Sequence, residues 1–254
     1  MKLFAALCVL VAVAGCSSGT SSGSTDKPKD KLTGDVTVFA ASSLKESFTA
    51  IGKQFEKDHP GAHVKFSFGA SSALAQSITQ GAPADVFAAA SPATMKTASA
   101  DIEGTATTFA KNTLQIAVPA GNPGTVTGLA DFAKDPLKIA LCAKQVPCGS
   151  AAVKVFATAG ITPKPDTYEQ DVKAALSKVE LGEVDAALVY RTDVIAAGPK
   201  VKGIDFPESL KAVNDYPIGV LTKAPNHDAG VAFEQLVLSK QGQDALTGAG
   251  FQGP

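Results

Sequence analysis

The sequence has no tryptophan, three histidines, four cysteines and 6% aromatic residues, and neither charge is in surplus: 23 Lys+Arg stand against 24 Asp+Glu, a formal net charge of -1. Each shortage excludes something. Without a basic excess there is no electrostatic footprint for nucleic acid or for an acidic membrane surface. No apolar run approaches the roughly twenty residues that a helical bilayer span needs, the longest being Leu3 to Ala14. Scattered histidines and few cysteines leave little from which to build a tetrahedral zinc site. What remains is 45% hydrophobic and 19% charged over 254 residues, the composition of a folded globular body large enough for one or two domains.

The N-terminus has the layout of an export signal over residues 1–15: basic Lys2, a short apolar run, then small residues. Val13-Ala14-Gly15-Cys16 resembles the bacterial lipoprotein box, in which the cysteine becomes the acylated first residue of the mature chain. Cys16 is therefore expected to carry palmitate-type lipid and to hold an extracytoplasmic body at the cell membrane; a plain secretion signal is the alternative. Residues 16–34, rich in Ser, Gly and Lys without apolar periodicity, are expected to form a flexible tether. Removing Cys8 with the signal and Cys16 with the lipid leaves Cys142 and Cys148. In an oxidising compartment such a pair is within reach of a disulfide; two small buried thiols are the alternative.

From Asp35 onward β-rich runs alternate with helical patterns. The runs begin near Val36, Val64, Val86, Leu114, Lys138, Asp185 and Ile218. Leu44, Phe48, Ile51 and Phe55 fall on one helical face, and Val172, Leu176, Val179 and Leu181 are expected to do the same, with Gly182 as a stop. Alternating strand and helix predicts an α/β fold with mainly parallel sheets. Two Pro/Gly-rich stretches, VPAGNPGTVTG and TKAPNH, divide it into two lobes: residues 35–117 with 223–254, and an inserted lobe of residues 118–222.

The chemistry-bearing places are strand-to-helix turns. Ser43 followed by Glu46 reads as a capping box, and Gly69-Ala70-Ser71-Ser72 repeats the strand–serine–helix arrangement. Val146-Pro147-Cys148-Gly149-Ser150 and Tyr168-Glu169-Gln170-Asp171-Val172 open two further helices, and Tyr190 ends a strand. Helix starts carry unsatisfied N–H groups and partial positive charge. Four of them beyond the strand ends of an α/β sheet would form an anion site without Lys or Arg.

In order, the segments VFAASSL, FGASSALAQSI with GAPADVF, VPCG, DVKAAL, ALVYRTDV and YPIGV resemble the extracytoplasmic molybdate-binding proteins of ABC transporters, from Asp35 to the C-terminus. The resemblance implies a two-lobed periplasmic-binding-protein fold of type II with the ligand cleft between the lobes. It implies a molybdate or tungstate oxyanion held by neutral donors: the hydroxyls and amides of Ser43 and Ser71, the amides of Cys148 and Val172, and the Tyr190 hydroxyl, with no direct metal ligand and no cofactor. It further implies a monomeric carrier, not an enzyme, that delivers its cargo to a membrane permease. Cys148 and Ser42 depart from the family pattern, where alanine is common. About seven convergent donors can replace the water shell of a dianion, and a lining without acceptors cannot satisfy the proton of hydrogen phosphate.

An enzyme alternative rests on Gly69-Ala70-Ser71-Ser72-Ala73, close to a nucleophile elbow, with His227 downstream as the base of an α/β-hydrolase. The final glycine of that motif is missing and no oxyanion-loop motif accompanies it. Gly248 to Gly253 matches a dinucleotide fingerprint in letters, but no helix follows it.

Overall fold

The structure, a computed structural model, describes residues 32–254. The expected signal, Cys16 and the tether as far as residue 31 lie outside the described residues. Among the described residues no helix is long and apolar enough to cross a membrane.

The first lobe begins with β1 (Thr33–Ala41), α1 (Lys45–Asp58), β2 (Gly61–Gly69), α2 (Ser71–Thr79), β3 (Val86–Ala88), α3 (Pro92–Thr97) and β4 (Thr107–Asn112). The chain then crosses at Thr113 into the second lobe. That lobe comprises β5 (Leu114–Pro119), β6 (Ile139–Cys142), α4 (Pro147–Ala159), β7 (Thr167–Glu169), α5 (Val172–Glu180), β8 (Ala186–Tyr190), α6 (Arg191–Ala197) and β9 (Val201–Ile204). It returns through β10 (Asn214–Val220) to α7 (His227–Leu238) and α8 (Lys240–Gly248). Strand order is β2-β1-β3-β10-β4 in one sheet and β7-β6-β8-β5-β9 in the other.

Both sheets are mixed. β1 pairs in parallel with β2 and β3, and β6 with β7 and β8, as helical crossovers require. β10 runs antiparallel to β3 and β4, and β5 antiparallel to β8 and β9. These two strands enter their sheets directly from the other lobe, without a covering helix to reverse the chain. Sheet membership thus changes at Thr113 and between β9 and β10; the expected break at 117/118 falls within β5, and that at 222/223 falls just after β10. The Pro/Gly runs mark the turns that follow the crossing strands; the crossings themselves are short and carry no such signal.

Each sheet has its own apolar core. Phe48, Phe55, Phe109 and Phe233 are buried in the first lobe, with ring centroids 5.7 to 5.9 Å apart in tilted and edge-on pairs. Ile116, Phe132, Ile139 and Leu188 anchor the second. The Leu44, Phe48, Ile51, Phe55 face is buried as its spacing requires. Val172, Leu176 and Val179 are buried too, whereas Leu181 is 72% exposed. It follows the last turn of α5, and its backbone leads into Gly182 at φ 68°, which turns the chain away from the core.

Candidate oxyanion site between the lobes

Four helix starts converge on one small cavity, with about 10 Å³ open to the centre of a water-sized group. Its walls include Ser43 and Ser71 from the first lobe and Cys148, Val172 and Tyr190 from the second. All five residues expected from the sequence are therefore brought together. Small neighbours, Ala41, Gly69, Ala70 and Ala90, let the backbone approach closely. No Lys or Arg lines the cavity.

The local hydrogen bonds leave donors free. Ser71 begins α2, and its Oγ accepts the Ala90 N–H at 3.0 Å, so its own proton is available to a ligand. Ser43 lies in a single 3-10 turn, Ser42–Leu44, ahead of α1. The expected capping box is not formed there. Ser43 Oγ lies 2.9 Å from Tyr216 Oη, and Glu46 faces the other lobe. A phenol proton given to Ser43 lets the serine pass its own on toward the cavity. Burial pushes the Tyr216 phenol well above its ordinary pKa, so it remains a donor at any physiological pH.

On the second lobe, Asp171 Oδ1 caps the Lys173 and Ala174 amides at 2.8 and 3.0 Å, and the Ala175 N–H bonds the Asp171 carbonyl. That leaves the Val172 N–H without a partner among the described residues. Asp171 is the one charged residue in the lining, and this capping turns its carboxylate onto α5. At α4, Pro147 has no N–H to satisfy, and Cys148 supplies the first free amide. Cys142 and Cys148 are joined by a disulfide, with Cα atoms 5.8 Å apart. A Cβ on Gly149 would collide with the Ala143 carbonyl, so only glycine lets this turn pack so closely beside the bridge.

Tyr190 is 1% exposed, and its buried Oη makes no hydrogen bond of good geometry among the described residues, although the Tyr216 and Asn214 side chains lie near enough to influence its proton. Burial, reinforced by Tyr216 and Asp193, raises its pKa well above the ordinary phenol value, so it too keeps its proton. A buried, protonated, unpaired hydroxyl in the wall of a polar cavity is a costly feature unless a ligand satisfies it. Among the described residues no cluster of His, Cys, Asp or Glu is suited to holding a metal ion.

The hydrolase constellation is not assembled. Ser71 is engaged by Ala90, while the His227 ring nitrogens face Glu103 and Asp228 on the surface.

Sequence comparison agrees with this arrangement. A family model described as bacterial extracellular solute-binding protein matches residues 36–252. The chain belongs to that family. It is 39% identical to the molybdate-binding protein ModA of Mycobacterium tuberculosis over 86% of this chain and 85% of the relative. Among solved structures, the periplasmic molybdate-binding protein of Azotobacter vinelandii superposes with a TM-score of 0.74 at 20% identity, covering 86% of this chain and 99% of its own. The sulfate-binding protein SubI of M. tuberculosis reaches 0.75 at 17% identity, covering 86% of each chain. Both structural likenesses establish the two-lobed fold, which carriers of different oxyanions share. Members of this family bind solutes outside the cytoplasm and do not transform them, so this chain is not an enzyme.

Sequence reasoning missed the supports behind the lining. Tyr216 lay inside the YPIGV segment but had no assigned role. The ion pairs of Lys173 with Glu46 and Asp193 join residues far apart in sequence, and no local signal marks them.

Proposed function

We propose that this chain captures molybdate or tungstate outside the cytoplasm and delivers it to an ABC transporter permease, as a monomer held at the membrane through a lipidated Cys16. The observation that carries the ligand reading is the unpartnered Tyr190 hydroxyl, which shares one small cavity with Ser43, Ser71 and the free amides of Cys148 and Val172. Neutral donors suit a dianion: each charge-assisted hydrogen bond contributes about 1.5–3 kcal/mol, and together they offset the loss of the hydration shell. A ligand that bonds Ser43 and Ser71 on one side and Val172 and Tyr190 on the other favours the state with the lobes together. The 39% identity to a molybdate-binding protein supports molybdate over other tetrahedral anions. The anchor is supported by the Val13–Cys16 motif and by 30% identity, over 97% of this chain, to a putative ABC transporter substrate-binding lipoprotein of Bacillus subtilis.

Thermal unfolding of a soluble form with molybdate, tungstate, sulfate and phosphate added separately tests the ligand. An anion at a hundred times its Kd adds about 2.7 kcal/mol. Stabilisation by molybdate and tungstate alone is the expected result. Stabilisation by sulfate in preference to molybdate would show that the fold is as described but the cargo is not.

A further inference from the structure

We infer that Lys173 is a positioning residue that locks three oxyanion-contacting segments into one geometry across the cleft, and that Glu46 is its anchor on the opposite lobe. The inference rests on the proposed oxyanion function. Lys173 does not line the cavity; it acts through the segments that do.

The connectivity is specific. Lys173 directly follows Val172, which lines the site. Its Nζ lies 3.0 and 2.8 Å from the two carboxylate oxygens of Glu46, three residues after Ser43. It also lies 3.1 Å from Asp193 Oδ1, three residues after Tyr190. Asp193 Oδ2 in turn accepts the Tyr190 N–H at 3.1 Å. One ammonium group thus ties together the turns bearing Ser43, Val172 and Tyr190.

Among the described residues, Lys173–Glu46 is the only ion pair that joins the two lobes. A further cross-lobe side-chain hydrogen bond, Asn112 Nδ2 to Thr192 Oγ1 at 2.8 Å, sits beside the chain crossing at Thr113. The Glu46–Lys173 bond joins the starts of α1 and α5, so a motion that separates these two helix starts breaks it. Lys173 is largely buried and carries two carboxylates, one of them fully buried. That is a costly arrangement for a surface decoration, but a suitable one for a contact whose geometry has to be fixed.

Glu46→Gln gives the decisive test, because it leaves the buried Lys173–Asp193 pair intact and does not threaten folding. Removing a negative charge near a dianion site should tighten binding through the electrostatic field alone. A lock predicts the opposite sign: molybdate affinity weaker by about three- to tenfold, carried by faster dissociation, with the ligand-free melting temperature unchanged. Lys173→Gln combined with Glu46→Gln should lose no more affinity than Lys173→Gln alone. Stopped-flow and calorimetric titration with sodium molybdate read all of these. Equal or tighter binding by Glu46→Gln, with normal wild-type binding, overturns the lock and leaves the functional reading standing. Absence of wild-type binding to any tested oxyanion overturns the functional reading, and the lock with it.

Discussion

At the scale of single residues, the site is built from hydroxyls whose acceptor or donor capacity is already half spent. Ser71 has accepted from Ala90 and Ser43 is paired with Tyr216, so each is oriented before a ligand arrives. Tyr190 has no partner, and this gives its substitution a double signature. Tyr190→Phe should weaken molybdate binding by about ten- to a hundredfold, one charge-assisted hydrogen bond's worth. It should also leave the ligand-free protein at least as stable, because an unsatisfied buried hydroxyl is removed. Calorimetric titration and ligand-free thermal unfolding check the two halves. Asp193 adds a pH dependence. Burial lifts its carboxyl, Lys173 and the Tyr190 N–H pull it back, and the balance leaves its pKa at about 6 against 3.8 for a free aspartate. Between those values the native state holds a proton that the unfolded chain has released, so stability contributed at low pH is lost as pH rises from about 4 to 6. Asp193→Asn should remove this component. Melting temperatures of the two proteins from pH 4 to 7 should differ by a curve with its slope in that window, and parallel curves would refute the assignment.

At the scale of elements, the recurrent unit is a strand that delivers a helix start to the cavity. The first turn of α4 is the most constrained of these. Gly149 permits its close approach to Ala143, and the Cys142–Cys148 bridge closes the loop behind it. Replacing both cysteines by serine should cost about 2 kcal/mol, the chain-entropy value for so short a loop, and should weaken ligand binding by freeing the Cys148 amide. Denaturant titration measures the first effect and calorimetry the second; unchanged affinity would show that α4 holds its position without the bridge. Gly149→Ala should be more damaging to binding than an alanine at the exposed Gly160, where a Cβ meets nothing within contact distance. Gly160 does carry a positive φ of 66°, so that control has a modest backbone strain of its own. The strands that sequence reasoning missed, β4, β7 and β9, all lie at sheet edges. Edge strands are covered on fewer sides and need less apolar patterning. TTFAKN, TYE and VKGI accordingly carry no run of the kind that marks β1 or β8.

At the scale of the whole molecule, two sheets with separate cores are joined by short crossings, and the site lies where their helix starts oppose each other. Ligand binding should then draw the lobes together as well as raise the melting temperature. Small-angle scattering with and without molybdate should show a smaller radius of gyration for the bound form; no change would mean that the cleft is already closed in the free protein. Much of this can be read from neighbouring residues. Periodicity and caps are local, so the central strands, α1, α5 and the four helix starts were legible, and the order of seven short segments pointed to the family and, through it, to Ser43, Ser71, Cys148, Val172 and Tyr190 as the candidate lining. Sheet order, the antiparallel entry of β5 and β10, and the points at which the chain changes sheets depend on which strands find each other in space. The pairing of Ser43 with Tyr216 and of Glu46 with Lys173 does as well. Glu46 reads as a cap from the residues beside it, and only the opposite lobe, brought to it by the fold, supplies the stronger partner.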